Sequence, residues 1–112
     1  MKLWTKEIET IAKKYPLCSQ ENKGKNSTII VKYYNPYGNG TWLITEAEKQ
    51  KNGDWLLFGY FYLYEWEWNY ITLSEIKNIK INVFGKKLHL QRDNSILENI
   101  TIRELLRGKY GN

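Results

Sequence analysis

The strongest constraint on the fold is residues 55–70, where nine of sixteen residues are aromatic. Aromatic side chains fit a pleated, half-buried surface, so this stretch predicts β-structure. It is longer than an average strand of about 5–6 residues. We therefore predict two strands, over 55–64 and 66–72, with the chain either bent or paired near Glu65. Because side chains alternate along a strand, Phe58, Tyr60, Tyr62 and Tyr64 would lie on one face of the first predicted strand. Trp66, Trp68 and Tyr70 would lie on one face of the second.

The remaining chain alternates short helical and strand patterns without repeats or a long linker. Apolar residues at helical spacing predict a first helix after the possible N-cap Thr5, and Thr72 with Glu75 predicts a capping box at the start of a second. The predicted helices are 3–14, 72–77 and 102–107, and the further strands are 28–35, 41–46, 79–83 and 87–92. We expect one α+β domain over residues 1–112. It would have a central, mostly antiparallel sheet of five to six strands, with the N- and C-terminal helices packed against one face.

Two local features of the strands carry further expectations. Strict alternation in the 41–46 strand puts Trp42, Ile44 and Glu46 on one face. Gly59 inside the aromatic strand predicts either a β-bulge or a close approach of another backbone.

Charge is unevenly distributed along the 112 residues, whose net charge is +5. Residues 1–35 hold seven lysines and three acids, residues 36–75 two lysines and six acids, and residues 76–112 eight basic and three acidic residues. A uniformly basic nucleic-acid-binding protein would not show an acidic middle third. The single cysteine, the absence of a signal-peptide pattern and the absence of a long apolar run favour a cytoplasmic protein without a membrane partner.

Few residues in the chain are candidates for catalysis or metal binding. Glu65 and Glu67 would lie about 6.5–7 Å apart on one face of a strand, a separation that paired carboxylates in acid–base catalysis can use. The only histidine, His89, and the only cysteine, Cys18, have no partner in sequence for a zinc site or a catalytic triad. No phosphate-binding glycine loop is present. We therefore expect that the protein is not an enzyme and holds no cofactor or metal. A small hydrolase that uses Glu65 and Glu67 is kept as an additional hypothesis beside the binding functions described below.

The number of rings in the middle of the chain suggests a binding surface. Thirteen of the seventeen aromatic residues lie between Tyr33 and Tyr70. They could fill the core, or some could form an exposed platform with acids at its rim, since tyrosine and tryptophan are favoured at binding hot spots. Our predicted partner-binding residues are Tyr34, Tyr37, Asn39, Trp42, Glu46, Tyr60, Tyr62, Tyr64, Glu65, Glu67 and Tyr70.

Several blocks of the sequence together resemble one family. They are V-K-Y-Y-N-P-Y-G-N-G-T-W-L-I-T-E at 31–46, L-F-G-Y at 57–60, E-W-E-W-N-Y-I-T-L-S-E-I at 65–76, and Arg92-Asp93. The chain resembles the domain-of-unknown-function 2958 family over about residues 15–106. Asn69 stands where that family usually has glycine, and asparagine tolerates the positive φ of a turn.

The resemblance implies a setting rather than an activity, because these small proteins occur on plasmids, integrative elements and phages. We therefore expect a non-catalytic binding protein that inhibits a host defence component, in the manner of an anti-CRISPR or another anti-defence protein. It would act by protein–protein contact through an aromatic and acidic sheet face. The alternative is a module that binds single-stranded nucleic acid or a nucleotide on the same rings. The sequence leaves open whether the chain is a monomer or a homodimer.

Overall fold

Residues 2–96 and 98–108 are described by the structure, a computed structural model. The described helices are α1 (Lys6–Ala12), α2 (Leu73–Asn78) and α3 (Ile102–Leu106), with one turn of 3₁₀-helix at Gly24–Asn26. The strands are β1 (Val31–Tyr34), β2 (Thr41–Lys49), β3 (Trp55–Tyr62), β4 (Trp66–Thr72), β5 (Lys80–Val83), β6 (Lys86–His89) and β7 (Gln91–Arg92).

The strands form an antiparallel five-stranded sheet in the order β4-β3-β2-β1-β7, and β5 and β6 form a separate hairpin. The α+β prediction and the predicted sheet size are therefore confirmed. The predicted 87–92 strand is divided between β6 and β7, which belong to different sheets. The first helix starts at Lys6 because Thr5 caps it, accepting a hydrogen bond from the backbone N–H of Ile8 at 3.2 Å. Both halves of the predicted capping box at Thr72 and Glu75 are present.

Gly59 allows β2 and β3 to pair closely. A Cβ atom at Gly59 would overlap the backbone carbonyl of Leu43 on β2, and the register shifts between Ile44 and Glu46 opposite this position. Both predicted consequences of Gly59 thus occur. The shift turns Ile44 and Glu46 to opposite faces, so the expectation that they share a face with Trp42 is wrong beyond Ile44.

The larger core lies between α1 and one face of the sheet. Tyr33 is completely buried there, and its hydroxyl donates a hydrogen bond to the backbone carbonyl of Leu3 at 2.5 Å. Burial raises the pKa of this phenol well above its ordinary value. The same cluster of buried residues includes Ile8, Ala12, Val31, Trp42, Ile44, Trp55, Leu57, Phe61, Leu73 and Ile76.

The smaller core lies on the opposite face, where Ile102 of α3 packs with Ile29, Leu43 and Ile100. The expectation that both terminal helices pack against one face is therefore wrong. Leu43 follows Trp42 in β2 and so points to the opposite side of the sheet, where it needs a separate apolar cover.

The position of Asn69 also differs from expectation. Asn69 pairs with Gly59 in the interior of β4 and does not take a positive φ. The expectation of a turn at Asn69 is therefore wrong, because this part of the chain is a regular strand.

Candidate functional site

The candidate site is formed by the hairpin of β3 and β4, which a three-residue loop connects. The register pairs Tyr62 with Trp66, Tyr60 with Trp68, and Phe58 with Tyr70. Directly opposed residues of an antiparallel pair point to the same face. Six rings therefore lie on one face of the hairpin, and we call them the aromatic ladder: Phe58, Tyr60, Tyr62, Trp66, Trp68 and Tyr70.

The six rings form a continuous zigzag across the two strands. Phe58 is nearly parallel to Trp68, with ring centroids 5.6 Å apart, and Tyr60 is nearly parallel to Trp66 at 4.8 Å. Tilted contacts complete the series: Phe58 with Tyr70 at 4.7 Å, Tyr60 with Trp68 at 4.7 Å, and Tyr62 with Trp66 at 5.2 Å. Each such pair contributes about 0.5–1.5 kcal/mol beyond area burial, so the ladder is a preorganised surface.

One end of the ladder is covered by the small core, and the other is open. Tyr60 and Trp66 pack against the cluster that contains Leu43 and Ile102. Trp68 and Tyr70, on the edge strand β4, are 39% and 53% exposed. The Lys25 ammonium lies 5.8 Å from the centroid of the Tyr60 ring. The open part of the ladder is thus aromatic, and the cation lies at the covered part, over Tyr60.

Three of the predicted partner-binding residues, Tyr60, Tyr62 and Tyr70, belong to this ladder. Trp42 and Glu46 do not contribute to any exposed surface, because they are 5% and 3% exposed. The prediction that Trp42 is part of an exposed platform is wrong. Trp42 lies opposite Phe61 of β3, so both side chains point to the same face of the sheet. This is the face that α1 covers.

Glu46 holds the loop that follows α1 against the sheet. Its carboxylate accepts hydrogen bonds from the backbone N–H groups of Cys18 at 2.7 Å and Gln20 at 2.8 Å. The buried Gln20 side chain in turn donates to the carbonyls of Thr28 and Thr45, at 2.9 and 2.7 Å. The buried carboxylate is therefore satisfied by a structural network.

The remaining predicted tyrosines and Asn39 lie apart from the ladder. Tyr34 is half-buried on β1, and its hydroxyl lies 3.3 Å from the Gln91 side-chain oxygen, to which it donates. Tyr37 and Asn39 are exposed in the β1–β2 turn. Tyr64 is 94% exposed in the β3–β4 loop.

The two predicted acids are exposed but do not border the ladder as a pair. Glu65 lies in the β3–β4 loop, whereas Glu67 lies on β4. Glu67 pairs with Phe61, whose ring belongs to the large core, so Glu67 is on the face opposite the ladder. The expected combination of aromatic and acidic residues on one sheet face is therefore wrong.

His89 and Cys18 do not assemble a reactive site with their described neighbours. His89 is exposed on β6, with Nδ1 3.5 Å from Nζ of Lys80. Cys18 is exposed, and the nearby charge of Glu21 raises the pKa of its thiol. Across residues 2–96 and 98–108, no group of three histidine, cysteine, aspartate or glutamate side chains is arranged to hold a metal ion. Within the same ranges, no helix has the length and apolar character needed to cross a membrane.

Half of the ladder was not among the predicted binding residues: Phe58, Trp66 and Trp68. The missing information was the hairpin register. A three-residue loop at 63–65 would have pointed to it, because this length pairs Tyr62 with Trp66 and brings both sets of rings onto one face.

Comparison with known proteins gives one match. A family model described as "Protein of unknown function (DUF2958)" matches residues 3–107. No curated protein and no solved structure matches the chain. The match covers nearly all of the sequence, so the chain belongs to the DUF2958 family of proteins of unknown function.

Proposed function

We propose that this chain is a non-catalytic binding protein that recognises a protein partner through the open end of the aromatic ladder. The observation that supports this most is the exposure of Trp68 and Tyr70 next to four further rings on a fixed hairpin. Large rigid side chains bury area on binding without a large loss of conformational entropy, which is why they dominate hot spots.

The arrangement of the rings favours protein contact over base stacking. The four inner rings, Phe58, Tyr60, Trp66 and Trp68, each contact two others. Rings that stack on one another present mainly their edges to a ligand, whereas a nucleobase needs a free ring face. Ring edges and the open edge of β4 suit apolar side chains and an extended backbone of a protein.

The mobile-element setting that the family resemblance implies identifies the first partner to test. We propose a host defence component, which the chain would inhibit by occupying its surface. This part of the proposal depends on an analogy of setting, and the ladder itself supports only a protein-binding role.

The experiment is a capture of candidate defence proteins on the immobilised chain, followed by a titration of each captured partner. The test variant is Trp68→Ser with Tyr70→Ser, and the matched control is Tyr64→Ser, which removes an exposed ring outside the ladder. Loss of two hot-spot rings should weaken binding by about 30-fold or more. The control should bind as the unmodified chain does.

Two results would contradict the proposal. One is a partner that binds the ladder variant and the unmodified chain equally well. The other is the absence of any partner that distinguishes the ladder variant from the Tyr64→Ser control. Thermal melting of both variants checks that the hairpin is still folded.

A second candidate function, binding of single-stranded nucleic acid on the ladder, is supported by Lys25 over the Tyr60 ring. Salt dependence distinguishes the two functions. Phosphate contacts would weaken binding steeply as salt rises, with a slope of about −0.7 per contact in a log–log plot. An interface made of aromatic side chains should change much less.

A further inference from the structure

The hairpin of β5 and β6 has an unusual tip. Its turn residues Phe84 and Gly85 both have positive φ, +50° and +80°. Turns of this kind favour Asn-Gly, because a bulky side chain in the left-handed region is strained. The Phe84 side chain is also completely exposed. This ring therefore carries a conformational cost and gains no burial within the fold, which is typical of residues kept for contact with another molecule.

The segment that contains this hairpin is strongly basic. Residues 77–92 contain four lysines, one arginine and the histidine but no acid, so their formal charge of +5 equals that of the whole chain. The lysines are all exposed: Lys77, Lys80, Lys86 and Lys87. A concentrated positive field of this kind attracts a polyanion.

One face of the hairpin is entirely polar. Lys80 pairs with His89, and Asn82 pairs with Lys87, so these four side chains share a face on which all are exposed. The two lysines can contact phosphates, and the amide and imidazole offer hydrogen bonds.

The positive surface continues from the tip to the base of the hairpin. An open cleft of about 600 Å³ lies there, between β6, the N-terminal segment and the β1–β2 turn. The basic residues Lys2, Lys77 and His89 line it together with the rings of Trp4 and Tyr37. None of its described lining residues is an acid. Aromatic and basic side chains are thus combined at both ends of the hairpin.

We propose that this hairpin binds a single-stranded segment of nucleic acid, with an unpaired base on the Phe84 ring and phosphates on the lysines. The free ring of Phe84 has both faces available for a base, in contrast to the inner rings of the ladder. An unpaired base stacks on it without the cost of opening a duplex. One phenylalanine supplies too little apolar area to hold a bilayer surface. The inference does not depend on the protein partner of the ladder.

The test measures fluorescence anisotropy with a labelled DNA strand of about 15 nucleotides. The same strand in a duplex and vesicles of anionic lipid serve as competitors. Phe84→Asn should weaken binding by about fivefold to about 150-fold, as expected for loss of one base–ring stack. Asparagine accepts the left-handed region, so this variant should melt at the same temperature as the unmodified chain or higher. The matched control, Tyr64→Asn, should bind within about twofold of the unmodified chain, because it removes an exposed ring of the β3–β4 loop, which is not part of the basic hairpin.

Salt dependence gives a second measurement that does not involve Phe84. Contacts of three or four lysines with phosphates predict a slope of about −2 to −3 in a plot of log K against log salt concentration. Replacing Lys80 and Lys87, the two lysines of the polar face, by glutamine should make that slope shallower by about 1.4. Both lysines are exposed, so the replacement should leave the melting temperature unchanged.

Four outcomes would overturn the proposal. They are no binding by the unmodified chain at low salt, an equal effect of Phe84→Asn and Tyr64→Asn, an unchanged slope for the lysine variant, and tighter binding to duplex or vesicles than to the single strand. The ladder variant Trp68→Ser with Tyr70→Ser should keep its affinity for the DNA strand. If that variant loses the DNA strand while Phe84→Asn keeps it, nucleic acid binds the ladder instead.

Discussion

At the scale of single residues, Gly59 is the position where a side chain is least tolerated by the sheet. A methyl group at Gly59 would overlap the carbonyl of Leu43, and the obstacle is backbone rather than a flexible side chain. We expect Gly59→Ala to lower the free energy of unfolding by about 1–3 kcal/mol, as overpacking does. Urea denaturation measures the loss. Gly38→Ala is the control, because Gly38 has no positive φ and its nearest contact would be at 3.6 Å, an ordinary distance.

Glu46 is predicted to affect stability rather than partner binding. Its carboxylate accepts two backbone hydrogen bonds while only 3% exposed. Hydrogen bonds to a charged group contribute about 1.5–3 kcal/mol each, so Glu46→Ala should cost at least about 2 kcal/mol in the free energy of unfolding. Glu48→Ala, at an exposed position of the same strand, should cost much less. A partner-binding role would instead appear as weaker binding with unchanged stability.

Single residues also show where reasoning from periodicity is incomplete. Alternation correctly assigned Trp66, Trp68 and Tyr70 to one face, because β4 is regular. It failed at Glu46, because a register shift opposite Gly59 of the neighbouring strand turns this side chain to the other face. Gly59 predicted an irregularity, but a β-bulge is set by contact across strands, so the pattern of β3 alone did not show which residue of β2 would be turned.

At the scale of elements, Asp54 links the β2–β3 turn to α2. Its carboxylate accepts hydrogen bonds from the Ser74 hydroxyl at 2.6 Å and from the backbone N–H of Ser74 at 3.1 Å. The bond from the Ser74 side chain is the main cause of a lowered pKa for Asp54. A lowered pKa means that the carboxylate stabilises the fold above its unfolded value of about 3.9 and loses this effect as pH falls through the folded value.

We therefore expect Asp54→Asn to be less stable than the unmodified chain at about pH 6, and the difference to disappear at about pH 2.5. Thermal melting at both pH values measures it. The pKa of Asp93 is also lowered, so this residue can be compared with Asp54. Partial burial alone would raise the pKa of Asp93, but hydrogen bonds from Ser95 and the charge of Lys32 outweigh the effect of burial. A difference between Asp54→Asn and the unmodified chain that is independent of pH would contradict the assignment of the effect to the charged form.

At the scale of the whole molecule, sequence reasoning gave the elements and missed how they share the two faces of the sheet. The fold class and the capping box at Thr72 followed from local signals. The position of α3 did not, because it depends on which face needs cover, and Leu43 creates that need from the middle of β2. The ladder required the pairing of β3 with β4, which individual face patterns do not contain.

The small core under α3 should therefore control the stability of the covered end of the ladder. Ile102 is completely buried and packs with Leu43 in the cluster that Tyr60 and Trp66 border. Ile102→Ala should lower the free energy of unfolding by about 2–4 kcal/mol, as removal of a buried isoleucine does. Leu106→Ala, at a position 43% exposed on the same helix, is the control and should cost less than about 1 kcal/mol.

Hydrogen exchange places the effect within the molecule. If the two faces are covered by separate cores, Ile102→Ala should speed exchange of amides around Leu43 and Trp66 more than of those in α1, which packs on the other face. Equal acceleration in α1 and around Trp66 would mean that the two cores open together. In that case α3 would stabilise the whole sheet, and the open end of the ladder would depend on it as much as the covered end does.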